Sequence, residues 1–343
     1  MTHETSTQIR LARRPEGWPT PDDFAIERVE LDPLAPGEVR VANEYVSVDP
    51  YMRGRMNDVP SYIPPFALGD VIAGGAIGRV VQSAADDLPV GTVVLHQHGW
   101  TDVVQADASS FRPVPDVPGL PLSLRLHILG MTGLTAYVGL TAIANLKPGE
   151  TVFVSGAAGA VGTAVGQIAK LLGAGRVIGS AGSAEKVALL TEKYGYDAAF
   201  NYKDAPVREQ LPAHAPDGVD VFFDNVGGDH LEAALDVMNT GGRLALCGAI
   251  AGYNTTEKTP GPDNMARMIT RSLTATGFTL AAYLHLSPEF TERMTAWFAE
   301  GEIAYDETVV DGIENTVDAF LAMMRGANTG KMLVRVMHGG NEG

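Results

Sequence analysis

The chain has 343 residues, enough for two domains that each bury a core of their own. Lys and Arg number 25 against 41 Asp and Glu, and the net charge of −16 excludes the basic face that a nucleic-acid or membrane-surface protein needs. Glycine is high at 39, which points to tight turns or close backbone approaches, and the one cysteine, Cys247, excludes an intrachain disulfide and any zinc site built on two thiols.

Residues 1–19 mix Glu4, Arg10, Arg13, Arg14 and Glu16 with no apolar core, so they do not read as a secretory signal. With the lone cysteine, this fits the cytoplasm. Up to about His127 short β-like runs recur at 38–48, 72–82, 92–98 and 101–105, bounded by turn formers such as Pro36-Gly37 and Pro89-Val90-Gly91. Several short strands in series predict a barrel or sandwich. His96 and His98 lie two apart on one run and could share a face. No cysteine joins them in this part of the chain, so they read as a solvated strand face rather than as zinc ligands.

From Thr151 the pattern changes. Apolar runs at 151–155, 176–180, 198–202, 219–225, 243–248 and 273–280 alternate with helical patterns at 160–172, 184–194, 207–211 and 230–239. Strands apolar throughout are those buried on both faces of a parallel sheet, and six of them with crossover helices predict a doubly wound α/β sheet. Ser287-Pro288-Glu289 opens a further helix, another covers 314–325, and a last strand covers 331–337. The most apolar stretch, 152–169, is broken by glycines and polar residues, so no transmembrane helix is expected.

The first α/β unit carries the strongest motif: Ser155-Gly156-Ala-Ala-Gly159-Ala-Val-Gly162, a strand running into a glycine turn and then a helix. That is the setting of a dinucleotide fingerprint, although its spacing differs by one position from G-x-G-x-x-G. Gly159 would let backbone reach a pyrophosphate at the helix N-terminus, and Gly162 would permit close helix–strand packing. The second strand runs into Gly182-Ser183-Ala184-Glu185-Lys186. An NAD site would place a carboxylate at its end to take the ribose hydroxyls. Small and hydroxyl residues stand there instead, with Lys186 in the next helical turn, which suits a 2′-phosphate and hence NADP. Glu185 is the one counter-indication, since it could reach a ribose.

With these motifs stand Ser47-Val-Asp-Pro-Tyr-Met-Arg53, Gly130-Met-Thr-Gly-Leu-Thr-Ala-Tyr137, Phe200-Asn-Tyr-Lys203, Phe223-Asp-Asn-Val-Gly-Gly228, Cys247-Gly-Ala-Ile-Ala-Gly-Tyr-Asn254 and Gly326-Ala-Asn-Thr-Gly-Lys331. Over nearly its whole length the sequence resembles the zinc-independent medium-chain dehydrogenase/reductases, in the branch of prostaglandin reductases, leukotriene B4 dehydrogenases and bacterial curcumin reductases. The resemblance implies an α/β protein. A GroES-like β-barrel domain (1–127 and 303–343) would carry a doubly wound parallel-sheet, Rossmann-type NADP-binding domain (128–302). It implies NADPH contacts at Gly159, Ala160, Val161, Gly162 and Thr163 along the pyrophosphate, and at Lys186 and Tyr202 on the 2′-phosphate. Asn225 at the fourth strand end, Cys247, Gly248, Ala249, Ile250 and Tyr253 by the nicotinamide ribose, Phe278, Thr279 and Leu280 by the nicotinamide, and Asn328 from the last loop complete the set. Thr132 departs from the family, which usually has proline there; the change would loosen the hinge between domains.

The implied reaction is zinc-independent, NADPH-dependent reduction of the C=C bond of an α,β-unsaturated ketone or aldehyde, a small hydrophobic enone. Charge developing on the carbonyl oxygen needs a hydrogen-bond donor, and a neutral phenol is one. Tyr253 is the first candidate and Tyr51 the second. Quinone reduction with the same cofactor is the alternative, and a non-catalytic NADPH-binding protein is another. The family also implies a homodimer joined at edge strands of the nucleotide domain.

Overall fold

The computed structural model describes residues 4–257 and 260–337; the outermost residues of the expected GroES-like domain lie outside them. In chain order its strands are β1 (Thr5–Leu11), β2 (Phe24–Glu30), β3 (Glu38–Ser47), β4 (Ala76–Ser83), β5 (Val93–His96), β6 (Val103–Asp107), β7 (Arg112–Pro113), β8 (Thr151–Val154), β9 (Arg176–Ala181), β10 (Ala198–Asn201), β11 (Val219–Asp224), β12 (Met238–Leu246), β13 (Thr274–Gly277), β14 (Glu307–Asp311) and β15 (Lys331–Arg335). The α-helices are α1 (Tyr51–Arg55), α2 (Met131–Val138), α3 (Ala160–Leu171), α4 (Ala184–Glu192), α5 (Val207–His214), α6 (Gly228–Val237), α7 (Ala266–Thr270), α8 (Ser287–Ala299) and α9 (Thr316–Met324). Two compact units result. One holds the residues up to Leu126, Glu307–Asn328 and those from Met332 on; the other holds His127–Asp306 and Thr329–Lys331.

The first unit is built on β3. One edge of this ten-residue strand pairs antiparallel with β4. Its other edge is shared, Glu38–Ala42 with β6 and Tyr45–Ser47 with β15. The path runs β14-β15-β3-β4-β5-β7. Val39, Val41, Val80 and Val94 bury against Leu88 and Phe111 on one face. β1 and β2, an antiparallel pair absent from the sequence reading, add a second small sheet. The two histidines do not form a solvated face. His96 is 4% exposed, and its Nε2 is 2.8 Å from Asn43 Oδ1. Its ring packs on Phe111, and burial with a neighbouring His98 lowers its pKa to about 3. β5 ends at His96; His98 follows it and is half-buried, its ring also against Phe111 and its Nε2 2.9 Å from Ser110 Oγ, so the side the two rings share is core at His96 and partly open at His98.

The second unit is a six-stranded sheet in the order β10-β9-β8-β11-β12-β13, parallel at every pairing. Its central strands are apolar on both faces, as the sequence reading expects: Val152, Phe153, Val154, Val177, Ile178, Val221, Phe222 and Phe223 are all at 0% exposure. Phe153 stacks on Phe222 at 5.1 Å and on Phe200 at 6.0 Å, tying three strands. The order reverses between β8 and β11. At such a switch point the strand ends part and leave room for a ligand. Among the described residues no helix is long and apolar enough to cross a membrane.

Candidate active site

The glycine loop follows β8. Gly156 adopts φ +60°, a conformation costly for any side chain, and turns the chain toward α3. A Cβ on Gly162 would lie 2.5 Å from Gly156 O and 2.6 Å from Ala157 Cα. The close approach expected of Gly162 is therefore to the loop's own backbone. It draws the first helical turn down over the loop. A Cβ on Gly159 would meet only Gly156 O, at 3.4 Å, so the chain leaves room on that side of the turn, while Gly330 is bridged to Gly159 on another. Thr163 N–H is bonded to Gly159 O, and the bridge between Gly159 and Gly330 engages the Ala160 end of the turn, whereas the amides of Val161 and Gly162 have no carbonyl behind them in the helix. Open space before free N–H groups at a positive helix end fits a pyrophosphate. Thr163 is buried and its hydroxyl donates back to Ala160 O at 3.3 Å, so the side chain serves the helix. Gly330 N–H donates to Ala158 O at 2.9 Å and fastens the last loop to this turn.

The next strand end differs in chemistry. β9 leads through Gly182 to Ser183, whose hydroxyl caps α4 by accepting Lys186 N–H at 3.3 Å. Tyr202 follows β10, and its N–H donates to Ala181 O at 3.1 Å. A Cβ on Gly182 would lie 2.8 Å from the Tyr202 hydroxyl, so this glycine makes room for the phenol. Burial, then the neighbouring Lys203, lowers the Lys186 pKa. Two ammonium groups and a phenol thus meet where β9 and β10 end. Glu185 is held low by hydrogen bonds from its own N–H and the Ser183 hydroxyl, so its carboxylate is engaged in the helix cap.

At the switch point Asp224 is buried, and burial raises its pKa. Its Oδ1 accepts Ser155 Oγ at 2.7 Å, Gly227 N–H at 2.9 Å and Val226 N–H at 3.0 Å. Asn225 Nδ2 donates to Ser155 O at 2.8 Å. These bonds lock the β11–α6 turn to the start of the glycine loop. The Asp224 carbonyl accepts Cys247 N–H at 2.9 Å and Gly248 N–H at 3.0 Å, extending the lock to the end of β12.

Beyond β12, Cys247 and Gly248 lead into Ala249 and a short 3-10 turn, Ile250–Gly252, capped by Tyr253. Ala249 N–H donates to Tyr253 Oη at 3.4 Å. Burial, with Cys247 beside it, raises the Tyr253 pKa, and burial pushes the Cys247 thiol up to about 12. Both groups therefore keep their protons at neutral pH. Phe278 continues β13, N–H to Leu246 O, and packs edge-on against Phe223 at 6.3 Å and Tyr283 at 6.4 Å. Its ring is thus part of the packing. Thr279 opens the turn that begins at Leu280.

The second unit therefore brings together Gly159–Thr163, Asn225, the 247–253 segment and Phe278 around its strand ends, with Lys186 and Tyr202 at the next ones. Tyr51 and Asn328 belong to the first unit. Tyr51 opens α1, where burial and Asp49 raise its pKa well above the usual phenol range. Arg53 is buried and donates to Asn57 Oδ1 at 2.7 Å and Gly17 O at 2.8 Å, bonds that serve the fold. Sequence reasoning singled out neither Asp224 nor Lys203. The only signal for both was that each stands beside a residue it did single out. Among the described residues no group of three or more His, Cys, Asp or Glu is placed to hold a metal ion.

Comparison with known proteins agrees with this geometry. A family model described as the N-terminal domain of oxidoreductase matches residues 7–114, and one described as zinc-binding dehydrogenase matches residues 160–300. The chain is 45% identical over 332 residues to a putative NADP-dependent oxidoreductase, YfmJ, of Bacillus subtilis, covering 96% of this chain and 97% of that protein. It is 41% identical over 331 residues to the NADPH-dependent curcumin reductase of Escherichia coli, covering 95% of each. The crystal structure of CurA in complex with NADPH from Vibrio vulnificus superposes with a TM-score of 0.92 at 40% identity, over 97% of this chain and 100% of that one. By these matches the chain belongs to the medium-chain dehydrogenase/reductase family, in its zinc-independent reductase branch.

Proposed function

We propose that this protein uses NADPH to reduce the C=C bond of α,β-unsaturated ketones or aldehydes. The observation that carries the reading is the protonated phenol of Tyr253, oriented by Ala249 N–H at the end of β12 and linked through Gly248 and Asn225 to the glycine loop. The helix start at Ala160, Val161 and Gly162 would hold the pyrophosphate, and Lys186, Tyr202 and Lys203 the 2′-phosphate. Asn225, the 247–250 backbone, the 278–280 segment and Asn328 would border the nicotinamide half. When bound, the reduced nicotinamide supplies the hydride. The chain's part is to meet the negative charge that develops on the substrate carbonyl oxygen as its β-carbon accepts that hydride. Tyr253 offers a neutral donor for it, with Tyr51 as a second; the α-carbon then takes a proton from water or a phenol.

A turnover assay following NADPH absorbance, with an alkyl enone, an aromatic enone, a benzoquinone and a saturated ketone, tests this. Consumption with the enones and not the ketone is expected. Turnover of the quinone alone, or NADPH binding without turnover of any acceptor, would replace the reading by one of its two alternatives. We further propose a cytoplasmic homodimer. β13 is an edge strand with Thr274, Ala275 and Gly277 exposed, and Ile269 nearby is 83% exposed. A monomer by light scattering would refute the dimer.

A further inference from the structure

His230 lies in the first turn of α6, two residues past the Gly227–Gly228 turn, and is 5% exposed. Its ring meets the ring of Tyr202 at 5.4 Å and 75°, an edge-to-face contact of the kind aromatic pairs favour. Its Nε2 is buried with no hydrogen-bond partner. A buried ring nitrogen left unpaired is a cost to the fold, so a hydrogen bond from Nε2 within the protein does not account for an imidazole at this position. Burial outweighs the neighbouring Asp229 and lowers its pKa to about 4, so the ring is neutral at physiological pH and adds no charge. What the ring supplies is a flat aromatic contact, nearly perpendicular to Tyr202. Tyr202 itself is 39% exposed. Its phenol is confined on one side by Gly182, where even a methyl group would be 2.8 Å away. Without the second wall the phenol would be free to swing toward solvent.

We propose that His230 is a positioning residue for cofactor selection: its buried ring fixes the plane of Tyr202 and holds the phenol oxygen over Gly182, where it helps recognise the 2′-phosphate of NADPH. The inference rests on the reading of Lys186 and Tyr202 as the 2′-phosphate subsite. Shape is the active property, so phenylalanine should substitute for histidine, and leucine, which fills volume without a flat edge, should not.

The test is titration of the full chain with four ligands: NADPH, NADH, 2′,5′-ADP and 5′-AMP. In the wild type NADPH and 2′,5′-ADP should bind far more tightly than their partners lacking the 2′-phosphate. If they do not, the subsite reading fails, whatever His230 does. Given that preference, His230→Leu should weaken NADPH and 2′,5′-ADP about fivefold, the scale of one edge-to-face aromatic contact, and leave NADH and 5′-AMP within about twofold. His230→Phe should restore wild-type discrimination. In a Tyr202→Ala background His230→Leu should have no further effect. A purely structural role would weaken all four ligands alike or none. Either of those results, or failure of phenylalanine to rescue, overturns the proposal while leaving the subsite reading standing.

Discussion

The backbone N–H of Ala249 donates to the phenol oxygen of Tyr253 across 3.4 Å. The bond uses a lone pair of the phenol and leaves its proton uncommitted, so Tyr253 is oriented as a donor rather than as an acceptor. Removing the hydroxyl removes the donor but keeps the ring. Tyr253→Phe should therefore lower kcat for an enone by about tenfold or more, in line with the loss of one oxyanion donor. Steady-state kinetics at saturating NADPH check this. An unchanged kcat would remove Tyr253 from the chemistry.

Two glycines separate fold from cofactor recognition. A methyl group on Gly162 would collide with Gly156 O and Ala157 Cα, backbone that cannot yield. Gly162→Ala should destabilise the protein by about 1–3 kcal/mol and weaken NADPH and NADH together, because the pyrophosphate cradle itself is deformed. A methyl group on Gly182 would meet only the far end of Tyr202. Gly182→Ala should leave the melting temperature nearly unchanged and weaken NADPH selectively. Thermal melts beside NADPH and NADH titrations distinguish the two variants. Equal loss of both cofactors in Gly182→Ala would refute the placement of Tyr202.

Much of this was legible before the structure. Buried parallel strands announce themselves as unbroken apolar runs, and β8 to β11 begin at the residues the runs do, each ending one residue from the expected place. The glycine loop is local chemistry and reads directly. The rest depended on neighbours. α2 and the π-helical turn Gly139–Ile143 after it hide behind three glycines, and Gly139 is required because a Cβ there would lie 2.3 Å from Phe223. β12 starts at Met238 although Gly241-Gly242 interrupts it, because β11 supplies its partner on one side. Conversely β13 keeps only four of the eight residues expected, since it is an exposed edge strand. Asp224 was invisible as a buried carboxylate, because nothing local says that three donors will converge on it. Lys203 becomes a neighbour of Lys186 only once β10 is known to lie beside β9.

Thr132 is buried in the first turn of α2, and its hydroxyl has no hydrogen-bond partner. A buried unpaired hydroxyl costs about 1–3 kcal/mol relative to an apolar group of the same shape. Thr132→Val keeps the branching at Cβ and exchanges the hydroxyl for a methyl. It should stabilise the protein by about 1 kcal/mol, and the melting temperature should rise by a few degrees at most for a chain of this size. A fall would mean that the hydroxyl is served by a water or a ligand.

Stability should fall in mild acid, and two histidines set the sign. His96 is lowered to about 3 and His230 to about 4, in each case mainly by burial, from an unfolded value near 6.5. A base held below its unfolded value binds more protons when the chain unfolds. The stability it contributes is therefore complete above about pH 6.5 and drains away as pH falls from there toward the folded value. At pH 5 each neutral histidine costs about 2 kcal/mol relative to pH 7, one and a half units at 1.36 kcal/mol per unit. Asp224 works in the opposite direction, because burial raises its pKa and favours the folded protein as the carboxyl is protonated. The total pH dependence mixes these, so a single-site difference is the decisive measurement. His230→Phe retains the ring and cannot titrate. Denaturant melts at pH 7 and pH 5 should show the wild type losing about 2 kcal/mol more than this variant, with His96 and Asp224 common to both. Parallel losses would show that His230 is already protonated, or reaches solvent, in the folded protein at pH 5.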